Sequence, residues 1–266
     1  MSRITIHDII KRKAEGKKIS MLTAYDYPFA RIVDEAGVDI ILVGDSLGTV
    51  VQGHSTTLPV TMDHMIYHTQ MVSRGVRNAL VIGDMPFLSY QASMEDGVYN
   101  AGRFLKEGGA TAVKVEGGMN IIDKVKAMIS SGIPVMGHVG ILPQTIHKMG
   151  GYKVQGKDDA SAERILNDAL MLENAGVFAI VLEGVPEGLS KRITDAVSIP
   201  TIGIGAGINC DGQVLVLHDL LGLLPQPMPK FVRPYASLRG QSIEAIKKFR
   251  EDIENGRFPG KDESYN

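Results

Sequence analysis

The sequence predicts an α/β protein closed into a (β/α)8 TIM barrel, and three observations carry that expectation. Apolar, β-branched segments alternate with amphipathic ones in one repeating order, which implies parallel strands joined by right-handed crossovers. Eight such strand segments fit into about 250 residues, a density that favours a closed barrel over an open doubly wound sheet. Five of the apolar runs end on charged side chains beside glycine: Gly44-Asp45-Ser46, Gly83-Asp84, Lys114-Val115-Glu116-Gly117, Gly137-His138 and Glu183-Gly184. A buried parallel strand is apolar along its length and delivers a functional side chain where it leaves the sheet.

Taken in order, a short amino-terminal helix precedes strands expected at 19–25, 40–45, 79–84, 112–117, 134–139, 178–183, 200–205 and 213–218. Helical patterns are expected at 28–36, 62–75, 94–108, 120–131, 161–175 and 187–197, with a long one at 237–255. Thr61 offers a hydroxyl cap to the second of these and Asp63 puts an acid in its first turn, while Gly37, Gly108-Gly109, Gly132 and Gly176 close helices just before strands. Pro225, Pro227 and Pro229 exclude a helix and mark an ordered loop before the long final one. Residues 260–266 form a short polar tail. No Pro/Ser/Gly-rich linker or charge block divides the chain, so residues 1–266 are expected to form a single barrel domain.

Composition excludes several classes of partner. With 28 basic and 30 acidic side chains the formal net charge is -2, which provides no basic footprint for nucleic acid or an anionic membrane. The amino end lacks the apolar stretch of a secretory signal and no run reaches membrane-spanning length, so a cytoplasmic location is expected. The single cysteine, Cys210, agrees with a reducing compartment and reads as packing rather than as a nucleophile.

In a barrel the carboxyl ends of the strands share one rim, so Asp45, Asp84, Glu116, His138 and Glu183 are expected together despite their separation in sequence. Lys114 and Glu116, two apart on one strand, project from the same face. Three clustered carboxylates repel unless a cation neutralises them, and an oxygen-only set of Asp45, Asp84 and Glu116 suits Mg2+ or Mn2+ rather than zinc. A neighbouring carboxylate keeps Lys114 charged, which favours binding of a substrate oxygen over Schiff-base chemistry. His138 is read either as an oxyanion contact or as a rim histidine bonded to backbone. His54, His64 and His68 read as surface or helix packing, and the turn Gly203-Ile-Gly-Ala-Gly207 reads equally as a phosphate turn or as close packing.

Beyond these features, GDSLGTVVQGHSTTLPVTMDHM at 44–65, GDMPF at 83–87, KVEGG at 114–118, MGHVGILPQ at 136–144 and GIGAG at 203–207 resemble the ketopantoate hydroxymethyltransferase family. The resemblance runs from residue 3 to residue 255. It implies transfer of a one-carbon unit from 5,10-methylenetetrahydrofolate to 3-methyl-2-oxobutanoate, giving 2-dehydropantoate in pantothenate biosynthesis. It also implies a magnesium site at Asp45, Asp84 and Glu116, a keto-acid site at Asp45, Ser46, Asp84 and Lys114, and Glu183 as proton acceptor. A barrel of the phosphoenolpyruvate mutase/isocitrate lyase type and a homo-oligomer, commonly a homodecamer, follow from the same resemblance. Rival readings are a Mg-dependent lyase or mutase on a related barrel, a phosphate-sugar enzyme, and a barrel kept only as a binding module. The lyase's Lys-Cys-Gly-His loop element is absent from the sequence.

Overall fold

A computed structural model describes residues 3–151, 153–225 and 228–265. The chain divides into two compact units, Met1–Val216 and Leu217–Asn266. The first is a closed barrel of eight strands in sequence order, β1 (Ile19–Thr23), β2 (Ile40–Val43), β3 (Leu80–Asp84), β4 (Ala112–Lys114), β5 (Val135–Gly140), β6 (Ala179–Glu183), β7 (Thr201–Ile204) and β8 (Gly212–Leu215). Every neighbouring pair is parallel, and β8 returns to β1 with Gly212 opposite Ile19 and Val214 opposite Met21. All eight expected strands are present, each within a few residues of its expected span.

The differences lie at the carboxyl ends and have local causes. β1 stops at Thr23 because Asp26 turns out to cap the helix Tyr27–Glu35, its Oδ1 accepting from the N–H of Phe29 at 2.8 Å. Past Lys114 the chain keeps pairing on one side only, Val115 donating to Met136 and Gly117 to His138 at 3.0 Å each. The expected helix at 94–108 is α-helical over Met94–Arg103 and finishes as a π-helical turn, Phe104–Gly108. Thr61 caps Met62–Gly75, its Oγ1 accepting from the N–H of His64. Gly109 and Gly176 end helices in the left-handed region, with φ of 75° and 97°, where any other residue would carry strain.

The barrel interior is apolar and continuous. Ile19, Met21, Ile40, Leu42, Leu80, Ile82, Ala112, Met136, Val181, Ile202 and Val214 pack into one buried cluster. Ile9, from the helix Ile6–Ala14, is fully buried in the same cluster and closes its amino-terminal end, with Ile4, Ile6 and Ile10 packed beside it.

The second unit contains a short helical turn, Leu217–Leu220, and the long helix Leu238–Glu254. In the proline-rich loop before that helix, Gln226 and Pro227 lie outside the described residues, as does Asn266 of the polar tail. The unit has its own cleft of about 280 Å³ beside Leu224, Pro225, Met228 and Arg239, and none of the expected rim residues lines it. Among the described residues no helix is long and apolar enough to cross a membrane.

Candidate active site

Strand alternation explains most of the site. The interior positions Leu80 and Ile82 on β3, Ala112 on β4, Met136 on β5 and Ala179 and Val181 on β6 belong to the core. Two residues further along each strand the same face presents Asp84, Lys114 then Glu116, His138 and Glu183. The barrel is thus apolar below and charged at one rim. Asp45 is out of step, because the interior series Ile40, Leu42 leads to Gly44. It reaches the rim through a turn instead, Leu47 donating to the carbonyl of Gly44 and Gly48 to that of Asp45. The glycines before Asp84 and His138 face the helices: a Cβ on Gly83 would lie 2.1 Å from Cδ1 of the buried Phe104, and one on Gly137 would lie 2.9 Å from Cδ1 of Leu172.

The structure brings the expected residues into one buried cluster. Lys114 Nζ donates to Asp84 Oδ1 at 2.6 Å and lies 3.5 Å from Glu116 Oε1. The N–H of Asp45 donates to Asp84 Oδ2 at 3.2 Å. His138 stands between two acids, Nδ1 at 3.4 Å from Glu116 Oε1 and Nε2 at 3.3 Å from Glu183 Oε2, though neither approach has the alignment of a formed hydrogen bond. Ser46 Oγ meets the phenol of Tyr25 at 2.8 Å. Glu183 is the most open of these acids, with a side chain 19% exposed against 2% for Glu116.

The charges do not balance within this cluster. Burial, and then the carboxylates of Asp84 and Glu116, raise the Asp45 carboxyl well above its ordinary value. Burial raises Asp84 as well, with Glu116 adding to it and Lys114 opposing. Burial works against the charged form of Glu116 too, but Lys114 and His138 prevail and hold it low. Burial disfavours the Lys114 ammonium, yet Asp84, Glu116 and Asp45 outweigh it and raise its pKa, which works against the free amine that a Schiff base needs. Burial and Lys114 also oppose protonation of His138, while Glu116 and Glu183 push it up to about 9.

Four carboxylates therefore face one ammonium and one imidazole in a buried, oxygen-rich site. That crowding of acids, felt most by Asp45, is the chemistry a hard divalent cation satisfies. Among the described residues no three acid, histidine or cysteine side chains stand at the spacing of a common ion. Asp45, Asp84 and Glu116 share the cluster, with Lys114 set between the last two. Mg2+ binds through one or two carboxylates with water and substrate oxygens completing its shell, so the donor chemistry fits the ion without a three-carboxylate cage.

Comparison with known proteins decides the family. The family model for ketopantoate hydroxymethyltransferase matches residues 3–261. The chain belongs to that family. Relatives named 3-methyl-2-oxobutanoate hydroxymethyltransferase include one from Pelobacter propionicus, 56% identical over 99% of this chain and 98% of its own length. Another, from Geobacter sulfurreducens, is 56% identical over 98% of both. Among solved structures, a phosphonopyruvate hydrolase complexed with oxalate and Mg2+ superposes with a TM-score of 0.65 at 10% identity, covering 99% of this chain and 92% of that one. A 2,3-dimethylmalate lyase of the phosphoenolpyruvate mutase/isocitrate lyase superfamily gives 0.62 at 15% identity, over 98% and 91%. These show the fold alone, a barrel of that superfamily's type.

Within a ketopantoate hydroxymethyltransferase the remaining motifs take bland roles. A Cβ on Gly203 would lie 2.9 Å from Cys210 Sγ, and one on Gly207 would lie 2.5 Å from Cγ of Glu187. The Gly203–Gly207 turn is therefore glycine-rich for close packing, with a carboxylate beside it where a phosphate site needs positive charge. Cys210 is the buried partner in that packing. His64 completes a helix cap, His68 Nδ1 meets the carbonyl of Tyr25 at 2.6 Å, and His54 is exposed. Sequence reasoning missed Gln144, Tyr90 and Gln91, which the rim uses heavily. They are neutral and belong to loops, so neither charge nor strand period marks them. Gln144 was visible only as the last letter of the motif at 136–144.

Proposed function

We propose that the chain transfers a hydroxymethyl group from 5,10-methylenetetrahydrofolate to 3-methyl-2-oxobutanoate, forming 2-dehydropantoate for pantothenate synthesis, and that the rim cluster carries the chemistry. The observation supporting this most directly is the meeting of Asp45, Asp84, Lys114, Glu116, His138 and Glu183 at one barrel rim in a chain of this family. Asp45, Asp84 and Glu116 are the residues that would hold Mg2+. When bound, the ion supplies positive charge that polarises the keto group of a 2-oxo acid and makes its C3–H acidic.

The chain's own groups do the rest. Lys114, whose protonated form the surrounding acids favour, presents an ammonium to the substrate's oxygen atoms, and Ser46 offers a hydroxyl from the turn after β2, where it meets the phenol of Tyr25. Donors positioned in this way on a developing oxyanion are worth about 3 kcal/mol each. Glu183 accepts the C3 proton on a carboxylate oxygen, with His138 Nε2 3.3 Å from that carboxylate. General-base assistance of this kind contributes roughly a hundredfold to ten-thousandfold. The carbanion attacks the folate methylene as the first of its two C–N bonds breaks, and water then displaces the second nitrogen and supplies the hydroxyl of the product. The C3 proton and one water proton go to the two nitrogens of the departing tetrahydrofolate. Folate carries the electrophile, so no covalent protein nucleophile is needed. The same reading carries a cytoplasmic homo-oligomer, a decamer in the form common to the family, which sedimentation measures directly.

Two measurements test the proposal. Loss of 3-methyl-2-oxobutanoate is expected to require both methylenetetrahydrofolate and Mg2+, and turnover without folate would reject the reaction. Glu183→Gln is expected to bind the oxo acid but lose exchange of its C3 proton with deuterated water. Undiminished exchange removes Glu183 from the base role.

A further inference from the structure

Gln144 stands just past β5 on the turn Pro143–Thr145 and is 3% exposed. Its side-chain Nε2 donates to Asp45 Oδ2 at 2.9 Å and to the carbonyl of Met85 at 2.8 Å. Its Oε1 accepts from Tyr90 Oη at 3.2 Å and from Gln91 Nε2 at 3.0 Å. Its backbone N–H donates to Glu116 Oε2 at 3.1 Å. One residue thus ties together the acid on the turn after β2, the carbonyl next to Asp84, and the acid beyond β4. The amide can face only one way, because a flip would set Oε1 against two acceptors.

Tyr90 secures this arrangement from behind. It is fully buried, and its Oη accepts from the N–H of Glu116 at 2.8 Å while sharing its proton between the carbonyl of Glu116 and Gln144 Oε1. Asp45 and Glu116 would swing apart under mutual repulsion if nothing held them. A cationic side chain at position 144 would hold Asp45 too, but would repel a divalent ion. The side-chain amide orients the Asp45 carboxylate and the backbone N–H that of Glu116, and both donors, being neutral, leave the carboxylate charge for the ion.

We propose that Gln144, braced by Tyr90, is a positioning residue of the divalent-cation site, fixing the orientations of Asp45 and Glu116. The inference rests on the metal reading made above. Partners of metal-binding carboxylates typically contribute 10- to 100-fold in metal affinity.

The test is a Mn2+ titration of the full chain, followed by the paramagnetic resonance signal of the free ion. Gln144→Met keeps the side-chain length and is expected to weaken Mn2+ binding by about tenfold or more. Tyr90→Phe removes only the hydroxyl and is expected to weaken it by about threefold to tenfold, less than a direct partner of the carboxylates because it acts through Gln144. Wild-type circular dichroism and cooperative melting in EDTA identify a folded variant, and its turnover is expected to recover as Mg2+ is raised, a rescue that a purely structural defect would not give. Mn2+ affinity within twofold of wild type in the folded variants overturns the proposal, and if Gln144→Met does not fold, Tyr90→Phe decides by the same criterion. Wild-type protein that takes up no Mn2+ overturns the metal reading and this inference together. Wild-type uptake with unaltered variants overturns the inference alone.

Discussion

At the scale of single residues, the glycine before Asp84 is as much a part of the site as the acid. Strand alternation turns Asp84 into the barrel, and Gly83, facing the other way, lets the ring of Phe104 lie directly on the strand. Gly83→Ala would drive a methyl group into that ring, so either Phe104 or the end of β3 must move. Overpacking of this kind costs about 1–3 kcal/mol, and here the displacement is passed to Asp84. The variant is expected to lose that much stability in urea melts and most of its turnover. Phe104→Leu, added to it, is expected to restore part of both, since residues in contact couple non-additively. Full activity in Gly83→Ala would show that the packing does not set the position of Asp84. The pairing of Gly83 with Asp84 was legible in the sequence, because one residue in two must face the helices. The inward turn of Asp45 and the grip of Gln144 were not, since both depend on loop hydrogen bonds that leave no periodic trace.

Elements were legible where periodicity is strong, and blurred where a neighbouring element intervenes. β3 shows both. Its alternating core was readable from Leu80 and Ile82, but the fastening of its amino end belongs to a residue 45 positions earlier, Asp34. That carboxylate, 5% exposed at the end of the helix Tyr27–Glu35, accepts from the N–H groups of Ala79 at 2.7 Å and of Arg77 and Asn78 at 3.0 Å. Burial works against its charge, but these donors prevail and hold its pKa below the ordinary value. A carboxyl depressed by folding adds stability above its unfolded pKa and loses it as pH falls through the folded value. Asp34→Ala leaves three backbone donors without their acceptor and is expected to cost about 3 kcal/mol at pH 7. Urea melts are expected to show the gap between variant and wild type shrinking below about pH 4, near the ordinary carboxyl range. A gap independent of pH would mean that Asp34 acts through packing rather than charge.

Considered whole, the barrel separates its two ends. The carboxyl rim spends stability: it buries Asp45 and Asp84 with raised pKa values and sets four acids against two bases. The amino end supplies it. There Ile9 enters the interior cluster with Ile19, Ile40 and Leu80, the strand-opening residues of β1, β2 and β3. Lys13 adds an ion pair with Asp211 at 3.0 Å and a bond to the carbonyl of Thr194 at 2.9 Å. Conserving this division is a physical requirement, since a buried excess of negative charge must be offset by apolar burial elsewhere in the same cooperative unit. Ile9→Ala removes a fully buried side chain from a closed end and is expected to cost about 2–5 kcal/mol. Because the rim groups come from the opposite ends of the strands, turnover per folded molecule and Mn2+ affinity are expected to remain at wild-type levels at a temperature well below the melting midpoint. A lowered melting temperature with unchanged kcat and KM is the expected signature. Loss of kcat in a sample that remains fully folded by circular dichroism would show that the two ends are mechanically coupled through the strands.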